Sequence, residues 1–255
     1  MSTIGRFLEL SVQTPDILES LHFYKTLGFT ELESSDVLSH KYAVVSDGEL
    51  SIGLHDKEFP SPAITFVQQD LAKHARSMTD HGFDFDYLHL DDDVFNELSF
   101  RDRDGHAVRM VEARTFNVTA DAEHDSACGS WFELSLPVKD TVGAAQFWAP
   151  VAQTLLQMRE EPTMHMRFDA TRVPLGLSES IALKAPSLCF RNANRKGLMA
   201  LLEQRGFDVE KYPGYEGAFV AIKAPEGTTL FVFDEDFLGE SYEVDESGDI
   251  SDFPS

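Results

Sequence analysis

The chain is short of cysteine, of basic residues and of long apolar runs, and each shortage excludes something. Only Cys128 and Cys189 occur among 255 residues. Two cysteines without CxxC spacing make no disulfide framework, and a reducing compartment fits them. No run of about 18 or more apolar residues is present, so no spanning helix is expected. The opening Met1-Ser2-Thr3-Ile4-Gly5-Arg6 lacks the basic stretch and apolar core of a secretory signal, and a cytoplasmic protein is the expectation. Lys and Arg number 21 against 44 Asp and Glu, a formal charge of -23. That is the wrong sign for a phosphate-binding surface, which argues against nucleic acid and anionic membrane as partners. No GxSxG, Walker or dinucleotide fingerprint is found.

What is present is an ordinary globular composition, 42% hydrophobic and 25% charged, at a length that suits one or two domains. Internal repetition then organises the chain. Phe7-Leu8-Glu9-Leu10-Ser11-Val12 recurs as Trp131-Phe132-Glu133-Leu134-Ser135-Leu136, and Gly82-Phe83-Asp84 recurs as Gly206-Phe207-Asp208, both 124 residues on. Leu50 to Asp56 corresponds to Val173 to Glu179 at an offset of 123. The chain is a duplication, and each half divides again. Gly28-Phe29 and Gly82-Phe83 each end an amphipathic stretch and lead into a strand-like one. In the first stretch Ile17, Leu18, Leu21, Tyr24 and Leu27 recur at helical spacing, with Asp16 as N-cap and Gly28 as stop. Leu8, Leu10 and Val12 alternate with Glu9, Ser11 and Gln13, and Tyr42–Val45 and Leu50–Leu54 also read as strands.

Each unit therefore reads strand, helix, three strands. Four units tile about residues 6–57, 62–113, 130–180 and 186–235, and Ala224-Pro225-Glu226-Gly227 makes a hairpin in the fourth. The predicted organisation is a first domain over 1–115, a polar linker over 116–129, a second domain over 130–236 and an acidic, disordered tail over 237–255. Residues 234–255 hold nine acids and no Lys or Arg.

This pattern resembles the vicinal oxygen chelate superfamily, which includes glyoxalase I, bleomycin-resistance proteins and extradiol dioxygenases. The signposts are Phe23-Tyr24-Lys25-Thr26-Leu27-Gly28-Phe29, the hairpin Phe100-Arg101-Asp102-Arg103-Asp104-Gly105, and Leu188-Cys189-Phe190-Arg191 opening unit four. The resemblance implies an α+β fold of four βαβββ modules forming two domains, with curled mixed sheets around cavities and helices outside. It also implies metal ligands, usually His, Gln or Glu, early in the first strand and in the last strand of each unit. Aligned on Asp16, Asp70, Asp140 and Asn194, the first-strand positions are Glu9, Ala63, Glu133 and Ser187, and the last-strand positions are Gly53, Arg109, Gly176 and Phe231. A catalytic first-row metal needs about three protein ligands. Whether units pair within a half or across halves is left open, but neither pairing gives more than one ligand per cavity, and Arg109 puts a permanent cation at a ligand position. No resident metal or cofactor is expected.

Parity turns Glu9 and Glu133 inward, as general bases, as counter-ions for a cationic ligand, or as carboxylates satisfied by Arg109 or by hydrogen bonds. Arg109 is expected to compensate Glu9 within the first half or Glu133 across the halves. His55 shares the face of Gly53 and is either an acid/base group or, the favoured reading, a strand-end histidine meeting solvent before Asp56-Lys57. Trp131, Phe231 and Phe233 share the parity of Glu133, giving an aromatic second cavity or merely a packed core. His165 alone cannot build a metal site. With Ser11 on the polar face of the first strand, the candidate ligand-binding set is Glu9, Ser11, His55, Arg109, Trp131, Glu133 and Phe231, and no catalytic residue is assigned. Neither cysteine reads as a nucleophile.

The function expected first is binding of a small organic molecule, cationic or aromatic, in one or both cavities, as in sequestering bleomycin-resistance-like proteins. The alternatives are a metal-dependent lyase or dioxygenase with displaced ligands, drawn from Glu9, His55 and His40, and an interaction module with collapsed cavities. Oligomeric state stays open, since one chain already makes a pseudo-dimer.

Overall fold

Alternation of apolar and polar residues and four capped helices build the molecule. A computed structural model describes residues 4–33, 40–91, 95–112, 126–149, 154–160, 163–170, 173–237 and 242–243. The first unit is β1 (Arg6–Gln13), α1 (Ile17–Thr26), β2 (Thr30–Leu32), β3 (Tyr42–Ser46) and β4 (Ser51–His55). The second is β5 (Ala63–Val67), α2 (Leu71–Asp80), β6 (Phe85–His89), β7 (Glu97–Arg101) and β8 (Ala107–Val111). The third is β9 (Ser130–Pro137), α3 (Thr141–Trp148), β10 (Thr154–Arg159), β11 (His165–Asp169) and β12 (Pro174–Ser178). The fourth is β13 (Ser187–Arg191), α4 (Arg195–Arg205), β14 (Val209–Glu210), β15 (Phe219–Lys223) and β16 (Thr229–Phe233), and β17 (Tyr242–Glu243) follows it.

Units one and two form one sheet in the order β2-β3-β4-β1-β5-β8-β7-β6. Units three and four form the other, β14-β15-β16-β13-β9-β12-β11-β10-β17. Units pair within each half, so Glu9 and Arg109 share a sheet that excludes Glu133. In both sheets the first strand of a unit runs parallel to its last, β1 with β4 and β9 with β12, and antiparallel to the first strand of the next unit.

The four aligned residues are all helix N-caps. Asp16, Asp140 and Asn194 accept backbone N–H groups of their helices. Asp70 sits at φ 52 and caps nothing, and Glu112 Oε1 takes the Leu71 N–H instead. In α1, Leu21 and Tyr24 are buried as expected, but Leu18 is 76% exposed because the helix docks through Ser20, Leu21, Phe23 and Tyr24. One apolar core runs through both halves. Across it, Ser20 Oγ and Tyr24 Oη donate to Glu226 at 2.9 and 2.6 Å, and Arg103 pairs with Asp140.

Two stretches expected to be loose are partly built in. The end of the linker is docked: Cys128 is fully buried, and Ala127 N donates to Leu27 O at 2.7 Å. Within the tail, Phe237 stacks on Phe233 and Tyr242–Glu243 pair with β10. The remainder of the linker and tail, 116–125, 238–241 and 244–255, lies outside the described residues. No helix among the described residues is long and apolar enough to cross a membrane.

Candidate functional site

Each sheet carries the duplicated Glu-Leu-Ser on its first strand, and a one-residue bulge precedes the glutamate. On β1 the register against β5 shifts between Phe7 and Glu9. On β9 the neighbours Trp131 and Glu133 face Phe190 and Cys189, which are adjacent, so Phe132 is the extra residue. A bulge turns later residues over relative to simple alternation. Trp131 therefore does not share the cavity face of Glu133. It stacks against Phe7 at 6.5 Å within the core, and Phe132 lines the cavity in its place.

In the first cavity Glu9 is buried among donors. Its Oε1 accepts Ser11 Oγ at 2.6 Å and His55 Nε2 at 3.0 Å, and its Oε2 accepts Tyr42 Oη at 2.5 Å. Thr65 Oγ1 lies 2.7 Å from Ser11 Oγ, whose proton is committed to Glu9, so Thr65 donates to Ser11. Burial pushes the Glu9 carboxyl up, but the hydrogen bond and charge of His55 and the Ser11 and Tyr42 hydroxyls outweigh it and hold it below its ordinary value. A carboxylate on Nε2 leaves His55 Nδ1 to meet His40 Nε2, 2.9 Å away. Burial, then the charges of His55, Lys57 and Arg109, pull His40 below the usual imidazole value. His55 is thus a buried partner of Glu9, not a strand-end residue meeting solvent. A cavity of about 280 Å³ opens beside this network, lined among others by His40, His55, Tyr87, Glu97 and Arg109.

Arg109 differs from expectation. Its Nε donates to Glu97 Oε1 at 2.5 Å, on the adjacent strand β7. Glu9 acts on it only through longer-range charge, and Glu133 belongs to the other sheet.

The second cavity keeps the glutamate and changes its surroundings. Glu133 Oε1 accepts Ser135 Oγ at 2.6 Å and His165 Nε2 at 3.0 Å. Glu133 Oε2 and His165 Nδ1 are buried without a hydrogen-bond partner among the described residues. Burial raises the Glu133 carboxyl, yet the charge and hydrogen bond of His165, the Ser135 hydroxyl and the charge of Arg167 hold it below its ordinary value. The histidine arrives from a different strand. Tyr42 on β3 faces His55 on β4, whereas His165 on β11 faces Ser178 on β12, so the tyrosine position holds the histidine and the histidine position a serine. About 200 Å³ of space lies above this pair, walled by Phe132, Phe219, Phe231, Phe233 and Phe237 with Arg159 at one side. The Cys189 thiol lines it too, and burial pushes that thiol well above its ordinary value, as burial pushes Cys128 up to about 12; neither is a nucleophile.

The metal that such a fold implies does not fit these residues. An ideal Cβ on Gly53 would lie 2.2 Å from Glu9 Oε1, and one on Gly176 would lie 2.3 Å from the Glu133 carboxyl carbon. Each glutamate thus folds back into the space a ligating side chain would occupy. Both oxygens of Glu9 are committed to protein donors, and both nitrogens of His55 are in hydrogen bonds, so Glu9, His55 and His40 form a line and not a converging set. Arg109 and Phe231 hold the remaining last-strand positions, and Ala63 and Ser187 the remaining first-strand ones. Among the described residues no group of three or more His, Cys, Asp or Glu is placed to hold a metal ion.

No family model matches the sequence, and no curated protein does. Solved structures do. A catechol 2,3-dioxygenase is similar at 12% identity over 96% of both chains, with a TM-score of 0.59. A 2,2',3-trihydroxybiphenyl 1,2-dioxygenase from Sphingomonas wittichii matches at 15% identity over 96% of this chain and 93% of that one, TM-score 0.61. An extradiol ring-cleaving dioxygenase from B. fuscum matches at 12% identity over 97% of this chain and 75% of that one, TM-score 0.63. The chain has the vicinal oxygen chelate fold, in the tandem four-module form of the extradiol dioxygenases.

Sequence reasoning picked out Glu9, Ser11, His55, Arg109, Trp131, Glu133 and Phe231 and left open which of them share a cavity; the structure gathers Glu9, Ser11, His55 and Arg109 in one half and Glu133 and Phe231 in the other, with Trp131 in the core. Sequence reasoning missed Tyr42, the His165–Glu133 pair, Phe132 and Phe237. The duplicated Ser11 and Ser135 were a usable signal, because a serine two residues past an inward glutamate on a strand is on the same face.

Proposed function

We propose that this protein binds a small, flat organic molecule in its second cavity without a resident catalytic metal. The observation that carries this is a phenylalanine-walled space whose polar floor, Glu133 with His165, is held by its own hydrogen bonds and still has an unpartnered carboxylate oxygen. Aromatic walls with a few fixed polar groups are the usual make-up of a small-molecule site. A volume of about 200 Å³ lies below the usual ~300–1,000 Å³ and suits one ring system. The first cavity, at about 280 Å³, is the roomier of the two, but its wall carries the Arg109–Glu97 pair where the second has phenylalanines, so it suits a flat apolar molecule less. The buried unpaired thiols support a reducing, cytoplasmic setting for this activity.

Thermal unfolding of the full chain with 2-naphthalenemethanol tests the reading. Binding to the native state raises stability by about 2.7 kcal/mol at a hundredfold excess over Kd. The expected result is a concentration-dependent rise in Tm that Phe231→Arg abolishes. No rise with any naphthalene probe, or a rise that Phe231→Arg leaves intact, would overturn it.

A further inference from the structure

Among the described side chains, the charges around the second cavity do not balance: one carboxylate, Glu133, faces Arg159, Arg167 and the His165 imidazole. In the register of the sheet Arg159 lies directly opposite His165, and Gln157 opposite Arg167, so β10 and β11 present both guanidiniums on the face that carries His165. A third, Arg191, lies 4.7 Å over the ring of Phe132. None of the three arginines makes an ion pair with a carboxylate among the described residues, and the Nε of each is buried without a hydrogen-bond partner. Burial pulls Arg159 and Arg167 below their ordinary values, the mark of cations short of an anion. Elsewhere Arg101, Arg103, Arg109 and Arg195 each pair with a carboxylate.

From this we infer that the ligand of the second cavity is an aromatic anion, an aryl carboxylate or a phenolate, whose charge meets Arg159 while its ring lies among the phenylalanines. The inference rests on the proposed binding role of this cavity and adds the ligand's charge. Glu133 is shared among His165, Arg167 and Arg159, and of the three arginines Arg159 is the one that lines the cavity. The ring of Phe237 lies 5.6 Å from the Arg159 guanidinium and stacks on Phe233 at 4.0 Å, so the cation is steadied against the same wall that would hold the ring. Glu133 and His165 are 3% and 4% exposed, so the polar floor of the cavity is buried. The charge of -23 does not oppose the choice at contact range, because surface charges are screened beyond a Debye length of about 8 Å. A cationic ligand, which the overall acidity favours, would face Arg159 at close range.

Three probes that share one ring separate the outcomes: 2-naphthoate, 2-naphthalenemethanol and 2-naphthylmethylammonium, titrated into the full chain by calorimetry at fixed ionic strength. The expected order is anion at least tenfold tighter than alcohol, with the ammonium weakest. Arg159→Gln should remove the preference for the anion and leave the alcohol's Kd within about twofold, Arg159→Lys should restore part of it, and the exposed Arg76→Gln should change nothing. An ammonium that binds as tightly as the carboxylate, or an Arg159→Gln chain that loses alcohol and anion equally, overturns the inference while the binding role stands. If none of the three binds, the binding role itself fails and this inference with it.

Discussion

The two cavities share a backbone and a buried glutamate, and they differ at almost every position around it. Thr65 faces Arg109 in the first sheet as Cys189 faces Phe231 in the second, and Glu97 faces Val111 as Phe219 faces Phe233. An ion pair in one cavity is thus a pair of phenylalanines in the other, at corresponding positions. What is kept is the set Glu-x-Ser with the glycine beneath it, Gly53 or Gly176, which lets a carboxylate fold back and be satisfied internally. The lesson is that the glutamates are a shared structural device, and that the residues around them set the two cavities apart.

The largest effect should come from removing a histidine. His55→Leu takes the imidazole from Glu9 and leaves it the Ser11 and Tyr42 hydroxyls alone, and breaking a buried charged pair from one side costs about 3–5 kcal/mol. His165→Leu should cost less, because the charge of Arg167 still offsets Glu133. Urea unfolding of both variants tests the order, and equal losses would mean that Arg167 contributes nothing. Gly53→Ala and Gly176→Ala should come next. Each Cβ would displace a carboxylate from its hydrogen bonds, at about 1.5–3 kcal/mol for bonds to a charged group. Wild-type stability in either variant would show that the glutamates have other room.

The pH dependence separates both glutamates from ordinary surface acids. A carboxyl held below its ordinary 4.5 in the folded state contributes stability that is fully present above that value and is lost as pH falls through the lower folded value. Glu9→Gln and Glu133→Gln should each flatten the acid limb of stability below about pH 4.5, as followed by chemical denaturation. An unchanged acid limb in both would contradict the assignment. The smallest effect should be at Arg109, whose pair with Glu97 is 21% and 27% exposed and so partly screened. Arg109→Met should cost about 1 kcal/mol. Glu97→Gln should couple to it in a double-mutant cycle, and Glu9→Gln should not.

Much of the fold was legible because its signals are local. The duplicated Glu-Leu-Ser, the Gly-Phe corners at 28–29 and 82–83, and the cap residues Asp16, Asp140 and Asn194 each need only a few neighbours to be read. The site was less legible because its decisive features are not local. A single bulge residue, Phe132, exchanges places with Trp131, and no alternation rule foresees it. Glu97 takes Arg109 across the hairpin that the sequence shows, but diagonally, since the residue directly opposite Arg109 is Ser99. His165 reaches Glu133 from β11 where its counterpart His55 comes from β4, so comparing the two halves position by position misses it. Phe237 and Tyr242–Glu243 sit in a stretch whose acidity reads as tail, although Phe237 lines the cavity and the backbone of Tyr242–Glu243 extends the sheet.

The central claim is that only the second cavity takes a ligand, and the stoichiometry of 2-naphthoate binding by calorimetry tests it most directly. The account predicts one molecule per chain and none in Phe231→Arg, which brings the arginine of the first cavity into the second. Two molecules per chain, or one that persists in Phe231→Arg, would contradict it.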